Sequence, residues 1–97
     1  MMTAGSIGVR DRSKRIFGNR YMLEVCAALS EVTERTNLSL LIGDSGLSPS
    51  VYVGPLHRLE GVGLLRTDAR ADDERRERWY RPAPSGLWMA ARELASK

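Results

Sequence analysis

The twenty residues from Gly46 to Leu65 constrain this chain more than any others. Gly46 supplies the left-handed backbone of a tight turn, Ser48 offers a capping hydroxyl, and Pro49 stands where a first helical residue loses nothing by lacking an amide hydrogen. Tyr52, Leu56 and Leu59 then recur at steps of four and three, which puts them on one inward face. The run Leu59-Glu60-Gly61-Val62-Gly63-Leu64-Leu65 ends that helix and turns it into a strand. What remains outward is Ser48, Ser50, Val51, Val53, Gly54, His57 and Arg58. Gly54-Pro55 interrupts the helix, so a kink is predicted there, or a helix regular only beyond Pro55.

The flanking segments complete an outline that is mainly α with a small β element. Met22, Val25, Cys26, Leu29 and Val32 give an amphipathic stripe from about Asn19 to Thr33, with Asn19 as its cap. A weak second helix is predicted from about Leu40 to Ser45, capped by Ser39 and stopped by Gly46. Leu64 to Ala69 reads as a strand, followed by the charged turn Arg70-Ala-Asp-Asp-Glu74 and a return strand from Arg76 to Pro82 in which Trp79 and Tyr80 favour extended backbone. Pro84-Ser85 opens a last helix to about Ser96, striped by Leu87, Trp88, Ala91, Leu94 and Ala95. Before all of these, residues 1–18 read as a basic arm, partly disordered, with a short helix over Asp11–Phe17.

Length and composition exclude several function classes. Ninety-seven residues at 42% hydrophobic content suit one small core. No apolar run reaches the ~18 residues of a membrane span, and the start lacks a secretory layout, so a cytoplasmic protein is expected. One cysteine, Cys26, and one histidine, His57, make neither a disulfide nor a zinc site. Cys26 falls on an apolar stripe and is expected to pack. No phosphate-cradling glycine loop and no triad-like constellation is present, so neither an enzyme nor a cofactor is expected.

The charge is unevenly distributed. Residues 1–20 carry five basic groups against one acid, a net +4, whereas residues 21–65 carry two against five, a net −3. Positive potential is therefore expected at the leading arm and around the hairpin. The helix pair between them is slightly acidic.

Ser50-Val51-Tyr52-Val53-Gly54-Pro55, the exit Leu59-Glu60-x-x-Gly63-Leu64, the strand Arg78-Trp79-Tyr80-Arg81 and the helix start Pro84-Ser85-x-x-Trp88 together resemble the PadR-like and ArsR-like winged helix-turn-helix regulators, in a short single-domain bacterial group. The resemblance covers about residues 19–95. It implies a winged helix-turn-helix domain over residues 19–97 and a homodimeric regulator, with third helices in successive major grooves of double-stranded DNA and wings along the backbone.

Candidate DNA contacts follow from residue chemistry. Arg58 and His57 are the donors able to read guanine edges or grip phosphates, Ser48 and Ser50 reach phosphates, and Val51 and Val53 suit thymine methyls. Arg75, Arg76 and Arg78 at the hairpin are expected on the phosphate backbone or in a narrow minor groove, and Arg10, Arg12, Lys14 and Arg15 are possible contacts from the arm. Leu87, Trp88, Ala91 and Leu94 carry more apolar surface than the core requires and are expected at a homodimer seam. The function read here is a sequence-specific transcription regulator, a repressor. The competing reading is an interaction module that uses the neutral third-helix face to bind another regulator.

Overall fold

A computed structural model describes residues 8–73 and 77–97. Among the described residues the chain forms a small α+β domain of five helices and one three-stranded antiparallel sheet. In chain order these are α1 (Val9–Phe17), α2 (Met22–Leu29), β1 (Thr36–Asn37), α3 (Leu38–Ile42), α4 (Ser50–Gly61), β2 (Leu65–Thr67), β3 (Trp79–Pro82) and α5 (Leu87–Ala95). The sheet order is β1-β3-β2. The proposed disorder of the first residues, together with Arg75 and Arg76, lies outside the described residues.

The leading basic segment is helical over nine residues and joins the core. Val9, Ser13 and Phe17 share one face at four-residue steps, and Gly18 ends the helix in the left-handed region (φ 74°) with its N–H on the Lys14 carbonyl. Ser13 is fully buried. Its hydroxyl donates to the Asn19 carbonyl at 2.6 Å and accepts the Leu23 N–H at 3.0 Å. That N–H is one of the donors a helix start leaves without an intrahelical partner, so α1 caps α2 across ten residues. Asn19 contributes too, its Oδ1 accepting the Tyr21 N–H. Ser13→Ala is therefore expected to destabilise the domain by about 1–3 kcal/mol in urea unfolding, because a buried donor and a half-buried carbonyl lose their common partner. A change within a few tenths of a kcal/mol would show that water replaces the hydroxyl.

α2 is the hub of the core. Leu23, Val25, Cys26 and Leu29 are almost completely buried, against Tyr52, Leu56 and Leu59 of α4, Tyr80 of β3, and Trp88 and Ala91 of α5. Its most extensive packing is on α5. The inward face of α4 is the one the four-and-three spacing predicts. Burial also pushes the Cys26 thiol up to about 12, which keeps it protonated and unreactive near neutral pH.

Several expectations differ from the structure, among them the bounds of α3, which ends at Gly43 and not Gly46. Thr36-Asn37, between the helices predicted to end at about Thr33 and to begin at about Leu40, forms the short strand β1, pairing Thr36 with Tyr80 and Asn37 with Trp79. The α3 cap is Asn37, whose Oδ1 accepts the Leu40 N–H at 2.9 Å, and not Ser39. The helix α4 is continuous from Ser50 to Gly61 with Pro55 inside it, so its regular part is not confined to the residues beyond Pro55. Gly54 eases the fit, since proline crowds the Cβ of the residue before it and glycine has none. Pro55 itself is buried against the core.

Candidate nucleic-acid interface

The α3–α4 connection turns on two glycines with positive φ, Gly43 at 44° and Gly46 at 74°. The start of α4 is held locally: the Ser48 hydroxyl accepts the Ser50 N–H at 3.3 Å and lies 2.9 Å from the Ser50 hydroxyl. Tyr52 ties the two helices together by donating to the Ser45 hydroxyl at 3.0 Å and lying 3.4 Å from the Leu41 carbonyl. Its ring is buried while Ser48, Ser50, Val53, Gly54 and His57 stay exposed. Val51 is only half-exposed and packs on the core edge, leaving Val53, 60% exposed, as the open apolar side chain of this helix face.

The hairpin lies beside that face. Antiparallel pairing sets Leu65 opposite Pro82, Arg66 opposite Arg81 and Thr67 opposite Tyr80. Just before β3, Arg78 reaches across to α4 and donates to Glu60 at 2.9 Å, with its guanidinium 5.8 Å from the centre of the Tyr80 ring. Val53, His57, Glu60, Arg78 and Tyr80 thus line one shallow cleft between helix and hairpin. Arg66 projects into solvent on β2 with no ion pair among the described residues. Arg66 is absent from the expected DNA contacts, and its position next to buried Leu65 on a strand is the signal that marks it as outward-facing.

The two donors of α4 diverge. His57 faces the hairpin-side cleft, whereas Arg58 turns to the opposite flank and donates Nη1 to the Phe17 carbonyl at 3.0 Å, at the end of α1. Arg10 is paired with Glu24 at 2.8 Å, and Arg12 donates to the Leu94 and Lys97 carbonyls at the end of α5. Both are thus tied to the folded domain, while Lys14 and Arg15 remain exposed. Of the residues expected at a dimer seam, Trp88 and Ala91 are taken up by the protomer's own core. Ala91 has no exposed surface, and Trp88 donates its indole N–H to the Ala83 carbonyl at 2.7 Å. Leu87 and Leu94 are half-buried, and the open face of α5 presents Met89, Ala90, Arg92 and Glu93.

After β2, residues 68–73 are pinned by charge. Arg35 makes a two-pronged pair with Asp73 at 2.7 and 2.8 Å, donates to the Asp68 carbonyl, and stacks over the Trp79 ring at 3.9 Å. Arg70 bonds Glu34, and Arg81 bonds Asp68. The Arg35 hydrogen bonds hold Asp73 below the usual carboxylate range, Arg81 does the same for Asp68, and Arg70 for Glu34. Their contribution is present above the unfolded carboxylate pKa values of about 4, and is lost as pH falls through the lower folded values. The Trp79 environment, followed by fluorescence in Trp88→Phe, is expected to change below about pH 4, with Asp73→Asn already altered at pH 7. An identical pH profile in Asp73→Asn would remove this pair from the account.

Among the described residues no group of three His, Cys, Asp or Glu side chains is placed to hold a metal ion, and no helix is long and apolar enough to cross a membrane. Comparison of the chain with protein-family models, with curated proteins and with solved structures finds no match in any of the three.

Proposed function

We propose that the protein is a sequence-specific double-stranded DNA-binding transcription regulator of the winged helix-turn-helix kind, a homodimeric repressor in which α4 enters the major groove and the β2–β3 hairpin follows the backbone. One observation carries this reading. The exposed face of α4, with Val53 and His57, and the hairpin-side Arg78 border the same cleft, so one duplex would meet both. In this reading His57 and Val53 read base edges, Ser48 and Ser50 take phosphates at the helix start, and Arg78 and Arg66 grip the backbone. The homodimer would form across the open face of α5, with Met89, 69% exposed, in place of the buried Trp88 and Ala91.

Glu60 sets the electrostatics of this surface. It occupies Arg78 and places a negative charge where phosphates would approach. Glu60→Gln should tighten binding to any duplex about 3- to 10-fold in fluorescence anisotropy, because Arg78 is freed and a repulsion removed, and Arg78→Ala should weaken it by a similar factor irrespective of sequence. Unchanged affinity in both variants would sink the placement of DNA in this cleft.

A second reading, a module that docks another protein, draws support from Leu40 and Val53, which leave large apolar side chains exposed on α3 and α4. It predicts binding that persists as salt rises.

A further inference from the structure

At the junction of α1, α2, α4 and α5, on the flank of α4 away from the hairpin, lies a second cleft of about 240 Å³. Its walls are Phe17, Met22, Leu59, Val62, Leu64 and Leu87, and among the described residues Arg58 is its one charged lining residue. The guanidinium spends one N–H on the Phe17 carbonyl, and no carboxylate pairs with it among the described residues. Val62 stands at the opening, 70% exposed. An apolar cleft with one carboxylate-free guanidinium at its rim is a complementary pair of features: the walls exclude water from a hydrocarbon, and the planar fork offers further donors to an anion.

We propose that this cleft binds a medium-chain aliphatic monocarboxylate, its tail against Leu59, Val62, Leu64 and Leu87 and its carboxylate on the free edge of Arg58. The volume is below the ~300–1,000 Å³ of drug-sized sites, which suits a ligand of roughly ten non-hydrogen atoms. A phosphate ester fits less well, because a single guanidinium in apolar walls leaves most of its oxygens without donors. The walls are largely flexible aliphatic groups, which conform to a chain more readily than to a rigid ring. Since Arg58 already joins α4 to the end of α1, an occupant would bridge the same two helices. The proposal does not depend on DNA binding and is tested without DNA.

The test is an NMR titration of the full chain with octanoate as probe, octanamide and octylamine serving as neutral and cationic counterparts. Octanoate should bind saturably with a dissociation constant of roughly 0.1–1 mM, shifting the methyl groups of Leu59, Val62, Leu64 and Leu87. Octanamide should bind at least tenfold more weakly, and octylamine should not saturate. Arg58→Gln should weaken octanoate tenfold or more. Val62→Asp, which changes an exposed side chain and sets a repelling carboxylate at the opening, should do the same with the fold intact by circular dichroism. It decides the matter should Arg58→Gln fail to fold. Equal binding of octanoate and octylamine, shifts confined to another surface, or a Val62→Asp variant that binds as the parent does would each overturn the proposal.

Discussion

Trp88→Ala is expected to cost the domain about 3–5 kcal/mol, read as a lower urea midpoint. The indole is buried on α5, its N–H satisfied by the Ala83 carbonyl, in the contact between α5 and α2 that is the most extensive of the fold. Removing it opens a cavity at that contact and strands a buried carbonyl. Against a total stability of roughly 5–15 kcal/mol for a domain of this kind, that is a large share. The loss should be independent of protein concentration in urea unfolding followed by circular dichroism, because the contacts are within one protomer. A loss that vanishes at high concentration would return Trp88 to an interface between copies.

The second large effect concerns DNA. In the proposed complex each protomer sets two arginines, Arg66 and Arg78, on phosphates, so raising salt from 50 to 200 mM should weaken duplex binding about 10-fold per protomer, and about the square of that for two protomers on one palindrome. The measurement is the slope of log affinity against log salt for one labelled duplex. Arg78→Ala should flatten that slope by about one contact, whereas His57→Ala should chiefly alter which sequences are preferred. A slope near zero with affinity intact would transfer the surface to a protein partner.

Which parts of this were legible in the sequence follows from the length scale of each signal. Tyr52, Leu56 and Leu59 repeat over two turns of α4, and that repetition alone fixed their inward face. The stripe of Trp88 and Ala91 was equally readable as buried, but a pattern tells that a face is covered and is silent on what covers it. The partner is α2 of the same chain. β1 has two residues, too short for any alternation, and its pairing depends on Trp79 and Tyr80 more than forty positions away. Ser13 was hidden in a run of charges, yet its four-residue spacing from Val9 and Phe17 was there to be read. For the candidate site, the exposure of Ser48, Ser50, Val53 and His57 followed from the helix period, while the divergence of Arg58 toward α1 depended on a tertiary contact with Phe17.

Asn37 serves two structures at once: its backbone pairs with Trp79 in the sheet, and its side chain receives the first turn of α3. Hairpin and helix therefore share this residue as a rivet. A push on either is passed to the other through the short segment Thr36-Asn37, and not only along the chain between Ile42 and Trp79.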